Sequence, residues 1–255
     1  MKNSLKCVNQ RRKDIIHLLK EHHRLSVEEL ATACHVSLMT IRRDLNVLAS
    51  QGIVIHGHGY ADFIENTPYE GDTKNTPLEM IKERLAKQAA KYVQNNETIF
   101  INSSSTAINL LNYIQSQHNI IITNNVEATK KSLPETGSLI LTGGEVRFPK
   151  EALIGPMTIN YLNHVYSDIT FIGCSGISPN GITSHNLYES QINQIMVRNT
   201  QHKNVVVLAD YRKIGIESNF PSTSLRDIRY LITDIHADAR ALNEIEQCGV
   251  TVIQV

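Results

Sequence analysis

Ser26-Val27-Glu28-Glu29-Leu30-Ala31, then Cys34-His35-Val36, then Ser37-Leu38-Met39-Thr40-Ile41-Arg42-Arg43-Asp44-Leu45-Asn46 is the stretch on which the amino-terminal fold turns. Ser26 and Glu29 stand at the spacing of a capping box, in which each side chain satisfies a free backbone amide at the start of a helix. That helix is expected over Val27 to Ala33, and Cys34-His35-Val36 is short enough to be a turn. Ser37 is placed to cap a further helix running to about Gln51, with Gly52 positioned to end it. At 100° per residue, Leu38, Ile41, Leu45 and Leu48 form one apolar stripe. Met39, Arg43 and Asn46 fall on the opposite side, with Thr40 and Arg42 on the flanks.

Working outward, Ile15, Ile16, Leu18 and Leu19 cluster at helical spacing among charged neighbours, so an amphipathic helix is expected from Gln10 to Glu21. Downstream, Ile53 to Ile55 and the glycines at 57 and 59 read as a small β wing. Residues 1–62 are therefore expected to be a winged helix-turn-helix, a geometry that sets its second helix in the major groove of double-stranded DNA. Met39 and Thr40 would then meet base edges or thymine methyls, while Arg42 and Arg43 can each grip a guanine bidentately or hold a phosphate, and Asn46 extends the same strip. Ser26, Ser37 and the helix amino termini would add amide contacts to phosphate, and His56 and His58 on the wing would touch backbone or minor groove. The competing reading is a solvated three-helix module in which Arg42 and Arg43 merely pair with Asp44 or water.

The charge distribution favours the first reading without deciding it. Net charge is zero, with 25 basic and 25 acidic side chains, but residues 1–60 hold nine basic against five acidic and the rest sixteen against twenty. A segment at +4 binds DNA weakly alone, so a homo-oligomer, dimer or tetramer, is expected to bring two such helices into successive grooves. Arg11, Arg12, Lys13 and Asp14 interrupt what would be the apolar stretch of a signal peptide, and no run reaches membrane-spanning length, so a cytoplasmic protein without a membrane partner is expected. Cys7, Cys34, Cys174 and Cys248 lie far apart, which argues against a disulfide framework. His22-His23 and the His56 and His58 pair have no cysteine or carboxylate at ligand spacing, and neither a metal nor a cofactor is expected.

Residues 63–76 are polar, with Pro68 and Gly71 and no sustained periodicity, and read as a linker. A second domain is expected over 77–255. Thr76 and Glu79 repeat the capping-box spacing around Pro77, ahead of a helix from Leu78 to Val93. Beyond it, β-rich runs at Thr98 to Ile101, Ile120 to Thr123, Leu139 to Leu141, Ile169 to Ile172, Val205 to Leu208, Tyr230 to Thr233 and Val250 to Val255 alternate with helical stretches. That is the pattern of an α/β fold whose mainly parallel sheet is flanked by helices. Ser103, Ser104, Ser105 and Thr106 join the first of these strands to an expected helix from Ala107 to Ile114, and such a turn either cradles a phosphate or simply caps the helix. Similar turns carry Asn124, Gly143 with Gly144, and Gly173 with Gly176. All four follow expected strands and should gather along the sheet edge where ligands bind in open α/β folds.

Thr40-Ile41-Arg42-Arg43-Asp44-Leu45, with the Ser26 to Ala31 run before it and Gln51-Gly52 after it, closely resembles the DeoR family of bacterial regulators. His58-Gly59 before Ala61 resembles that family's His-Gly-Gly-Ala wing, with Tyr60 in place of the second glycine and His56 where an arginine is common. The resemblance continues through Leu-Thr-Gly-Gly-Glu-Val-Arg ending at Arg147, Leu-Ile-Gly-Pro ending at Pro156, Phe171-Ile172-Gly173, Gly181-Ile182-Thr183, Glu189 and Leu208-Ala209-Asp210 with Lys213. It implies a sensor domain similar in fold to ribose-phosphate isomerase, with phosphorylated sugars or related metabolites as effectors, phosphate at Ser103 to Thr106, and Asp210 and Lys213 facing the sugar. Tyr211-Arg212 replaces the usual pair of serines; Arg212 then either adds a phosphate contact or has no role. It also implies a repressor of a carbohydrate-utilisation operon.

A sugar-phosphate isomerase or deaminase is the alternative, and needs an acid/base carboxylate beside the reacting carbons. Asp168, Glu189, Asp210 and Glu217 do not assemble into one: Asp168 and Asp210 sit at strand boundaries, and Ser175 stands where a base would be needed. A metabolic enzyme also has no use for residues 1–60, so no catalytic residue is expected. A third possibility is a constitutive DNA-binding protein whose α/β domain only oligomerises.

Overall fold

The computed structural model describes residues 5–22, 24–50, 53–56, 59–63, 77–133, 135–148 and 151–255. Two compact units divide between Ile81 and Lys82. Expectations for Gln51, Gly52, Gly57, His58, Thr76 and the 64–76 part of the linker lie outside the described residues.

The amino-terminal unit contains α1 (Leu5–His22), β1 (Arg24–Ser26), α2 (Val27–Ala33), α3 (Leu38–Ser50), β2 (Val54–His56) and β3 (Tyr60–Phe63). Its core takes the apolar faces read from the sequence, Ile15, Ile16 and Leu19 from α1 and Ile41, Leu45 and Leu48 from α3, and adds Val27 and Leu30 from α2, closed by Val54 and Ala61. The wing strands pair antiparallel, and β1, which alternation in so short a run does not reveal, adds to β3 as a third strand. One stripe residue is a correction. Leu38 is 40% exposed, because it opens the helix at the edge of the core, and Val36 from the turn packs there instead.

α4 (Pro77–Ala90) opens on its proline, as the tolerance of the first helical position for a missing N–H allows. It leads into the seven-stranded sheet β15-β14-β12-β9-β4-β5-β6, made of β4 (Thr98–Ile101), β5 (Asn119–Thr123), β6 (Gly137–Leu141), β9 (Ile169–Gly173), β12 (Val205–Leu208), β14 (Tyr230–Thr233) and β15 (Thr251–Gln254). Every neighbouring pair in it is parallel. These are the seven strands expected from the sequence. Phe100 and Ile122 pack with Leu162 of α5 (Pro156–Asn163) and with Ile192, Ile195 and Met196 of α6 (Leu187–Arg198). Ile172, Val205, Val207 and Leu231 pack with Leu242 and Ile245 of α7 (Ala239–Gln247).

Five short strands were not expected: the hairpin β7 (Glu145–Arg147) and β8 (Ala152–Ile154), and the antiparallel sheet of β10 (Gly176–Ser178), β11 (Gly181–Ser184) and β13 (Phe220–Thr223). Each has three or four residues, too few to establish a period. The expected helix from Ala107 to Ile114 is a second correction. It is a 3-10 stretch, Ala107–Asn112, in which Ala107 to Leu111 are all buried, so tight packing rather than an amphipathic pattern sets its form. Six residues align only a short run of peptide dipoles, so an anion there would rely chiefly on loop amides and hydroxyls.

Candidate nucleic-acid interface and anion site

The cap of α2 forms as expected: Ser26 Oγ accepts from Glu29 N at 3.1 Å, and Glu29 Oε2 accepts from Ser26 N at 2.7 Å. The bond donated by Ser26 N, and after it one donated by Ser26 Oγ, hold the Glu29 carboxyl below its ordinary range. Ser26 Oγ also donates to Glu29 at 2.8 Å, so its hydroxyl is committed to the cap. Backbone bonds from His35 to Thr32 and from Val36 to Ala31 close the turn, with His35 at φ 51°. Ser37 then accepts from Thr40 N at 3.3 Å, and the two hydroxyls lie 2.9 Å apart.

These bonds fix the rotation of α3. Met39 is 80% exposed, and Arg42, Arg43 and Asn46 are exposed beside it. Asp44, although next to Arg43 in sequence, turns inward to 2% exposure and accepts from Arg11 Nε at 2.6 Å and Arg12 Nε at 2.9 Å. The α1 arginines thus take the carboxylate that the solvated-module reading gave to Arg42 and Arg43. Those two arginines engage no carboxylate among the described residues. Thr32, His35, Ser37 and Thr40 line an open groove beside this strip, with Arg11 at its edge. His56 lies in β2 and His58 outside the described residues; of neither side chain is anything described.

In the larger unit the strand order reverses at β4, with β5 and β6 to one side and β9, β12, β14 and β15 to the other. Open α/β sheets bind ligands outside the carboxyl ends of their strands at such a switch point. Asn102, just past β4, donates from Nδ2 to the Gly173 carbonyl at 2.9 Å and to Asn193 Oδ1 at 2.9 Å, while its Oδ1 accepts from Gly173 N at 3.1 Å and Ser104 N at 3.1 Å. Asn102 is buried and Asn193 lies on α6; neither was picked out from the sequence, where buried asparagines carry no periodic signal. Ser104 Oγ accepts from Thr106 N and Ala107 N, which is the capping role. Ser103 is half-buried and Ser105 exposed. Thr106 Oγ1 and Asn124 Oδ1 are buried with no hydrogen-bond partner among the described residues.

Gly173, Gly176 and Gly144 have packing reasons, and Gly143 a conformational one. A Cβ on Gly173 would lie 2.0 Å from Ser104 Oγ, one on Gly176 would lie 2.2 Å from the Ile216 carbonyl oxygen, and one on Gly144 would lie 2.5 Å from that of Ile154. Gly143, at φ +71°, accepts at its carbonyl from Thr158 Oγ1 at 2.6 Å. Gly173→Ala is therefore expected to push Ser104 off its two amides and to cost about 1–3 kcal/mol by overpacking. Urea unfolding of the variant measures it, and an unchanged midpoint would mean that the serine swings aside freely.

Past β12, Asp210 is fully buried and pairs with Arg212 Nε at 2.8 Å and Lys213 Nζ at 3.7 Å. Burial alone would raise its carboxyl, but the Arg212 hydrogen bond and the Lys213 charge outweigh that and hold it below the ordinary range. Arg212 thus has a role, clamping Asp210. Tyr211 packs against the core, and burial pushes its phenol up to about 12. Asp168 and Glu217 serve the fold: the first accepts from Thr98 N, the second from Ser178 and Asn180.

Family models match both units, a DeoR-like helix-turn-helix domain over residues 11–67 and a DeoR C-terminal sensor domain over 79–235. The chain belongs to the DeoR family. Among DeoR-family relatives, the glycerol-3-phosphate regulon repressor of Escherichia coli is 33% identical over 229 residues, covering 87% of this chain and 89% of its own. The transcriptional regulator GolR of Listeria innocua is 29% identical over 248 residues, 95% and 97% of the two chains, and the repressor GlcR of Bacillus subtilis 27% over 244 residues, 94% and 93%. A solved D-ribose-5-phosphate isomerase overlaps 53% of each chain at 16% identity with a TM-score of 0.38, too loose an overlap to bear on function. This DeoR-family chain is accordingly a DNA-binding transcriptional regulator with a carboxy-terminal sensor domain. No helix among its described residues is long and apolar enough to cross a membrane.

Proposed function

We propose that the chain is a cytoplasmic repressor of a carbohydrate-utilisation operon. It binds operator DNA as a homo-oligomer through the α3 strip and leaves it when a phosphorylated sugar or related metabolite occupies the sheet edge; it catalyses no reaction. One observation carries the reading above the others: α3 spends none of Met39, Arg42, Arg43 and Asn46 on its own fold, while Asp44 ties its back to α1. In the reading, Met39, Thr40 and Asn46 meet base edges, Arg42 and Arg43 read guanine or hold phosphate, and Ser37, Ser26 and His58 border the backbone. The double commitment of Ser26 to Glu29 favours a contact through the amide end of α2 rather than through its hydroxyl.

On the sensor side, phosphate sits among Ser103, Ser104, Ser105, Thr106, Asn124, Gly143, Gly144, Gly173 and Gly176. The unpartnered oxygens of Thr106 and Asn124 favour that placement, since buried polar atoms ordinarily find a partner. Lys213 and Arg212 supply cationic charge, with Asp210 orienting them rather than meeting the anion itself. Because the two sites are linked, the effector must weaken DNA binding by the same factor that DNA weakens effector binding. A nearly complete switch requires a preference of about 5.5 kcal/mol, which several sites per oligomer reach more easily than one.

The E. coli relative's name makes glycerol 3-phosphate the first ligand to try. Operator release and a thermal shift on adding it, or another phosphorylated sugar, are the expected results. A carboxylate at Ser105, introduced as Ser105→Glu, repels the phosphate; that variant is expected to bind DNA normally while losing release. If it is still released at wild-type effector concentrations, the anion lies elsewhere. Should no phosphorylated metabolite shift either readout, the constitutive DNA-binding protein replaces the sensor.

A further inference from the structure

The β7–β8 hairpin is lopsided: every residue of β8 is buried and every residue of β7 exposed. The outer side of β8 is occupied. Leu153 N donates to the Asn124 carbonyl at 2.7 Å, Asn124 Nδ2 donates to the Leu153 carbonyl at 3.1 Å, and Ala152 bridges to Asn125. Among the described residues β7 has no strand neighbour but β8, so its far edge leaves backbone N–H and C=O groups to solvent. Across the hairpin Glu145 faces Ile154 and Arg147 faces Ala152, so among the described residues neither charge has a charged residue directly opposite it in β8. Val146 between them is 40% exposed and Phe148 beyond them 72%.

We propose that β7 pairs antiparallel with β7 of a second copy of this chain, about a two-fold axis through Val146. Such an axis sets Glu145 opposite the partner's Arg147 and Arg147 opposite the partner's Glu145, with the two valines facing each other. Opposite charges placed directly across an antiparallel pair attract, and the self-matching patch is what a two-fold interface requires. A parallel pairing would instead stack like charges, so Glu145-Val146-Arg147 is complementary to itself in one orientation only. The hairpin leaves the sheet directly after Gly143-Gly144 and is bonded at Leu153 to Asn124. The paired edge is thus continuous with the loops assigned to the effector, and a ligand there can tilt the strand that joins the two copies. The pairing rests on the proposed oligomeric repressor in needing a second copy.

Sedimentation equilibrium of the full chain at low salt tests it. Glu145→Arg and Arg147→Glu should each weaken self-association about tenfold, since each replaces two attractive pairs with two repulsive ones. The double variant restores the pairs in reversed order and should return to within about threefold of wild type. Single variants that associate normally overturn the pairing, and so does a double variant no tighter than the singles, which would trace the loss to the hairpin itself. A wild-type chain that stays monomeric overturns the oligomeric repressor as well, whereas normal association in all three variants removes only this interface.

Discussion

Replacing Arg42 and Arg43 together by alanine is expected to lower affinity for operator DNA at least about a hundredfold while leaving the melting temperature unchanged. A bidentate arginine on guanine contributes about 1–3 kcal/mol, and an oligomer loses two such contacts in each of two half-sites, so even the low end, about 4 kcal/mol, exceeds the roughly 2.7 kcal/mol that a hundredfold represents. The stability term is small because both side chains are exposed and make no ion pair among the described residues, and alanine is at least as good a helix former as arginine. Binding measured on a selected operator fragment across a salt series separates the two arginines. A variant that loses a phosphate contact binds more weakly on all sequences and loses about 0.9 from the salt slope, whereas one that loses a guanine contact keeps the slope and relaxes preference at one position. Operator affinity unchanged in the double variant would remove α3 as the recognition element.

How far this was visible in advance depends on period and length. The strip on α3 was legible because a thirteen-residue helix gives Ile41, Leu45 and Leu48 room to establish a face, and its complement then follows by rotation. The seven sheet strands were legible because buried parallel strands are continuous β-branched runs, as Val205-Val206-Val207 shows. The β7–β8 hairpin was not, since three residues define no alternation and its placement depends on Asn124, 29 positions before its partner Leu153. The switch point followed from strand order, which local pattern does not contain. At Ser104 the sequence left two roles open, and the amides of Thr106 and Ala107 take its hydroxyl for the cap. The role of Asp44 was hidden for a related reason: its neighbours Arg42 and Arg43 are adjacent in sequence, but its partners Arg11 and Arg12 lie on another helix more than thirty residues away.

That hidden role gives the second large effect. Asp44→Ala leaves two guanidinium groups converging on an empty buried position, and removing one partner of a buried ion pair costs about 3–5 kcal/mol. The side chains of Arg11 and Arg12 retain 15% and 23% exposure and recover some hydration, so the low end, about 3 kcal/mol, is expected. For a unit of this size that corresponds to a fall in the amino-terminal melting temperature of roughly 12–24 °C, with loss of DNA binding, although the carboxylate faces away from the groove. Calorimetry on the full chain reads the first and operator binding the second. A loss of binding by itself does not separate positioning from contact, but apolar replacement does. A buried ion cluster exchanged for apolar groups of similar volume is often neutral in stability, so Arg11→Met/Arg12→Met/Asp44→Leu should restore the melting temperature. If operator binding returns with it, the cluster acts by holding α3 against α1. If stability returns and binding does not, Arg11, which borders the groove beside Ser37 and Thr40, itself touches the DNA. An Asp44→Ala chain that melts within a degree of wild type would show that the apolar core sets the helix without the ion cluster.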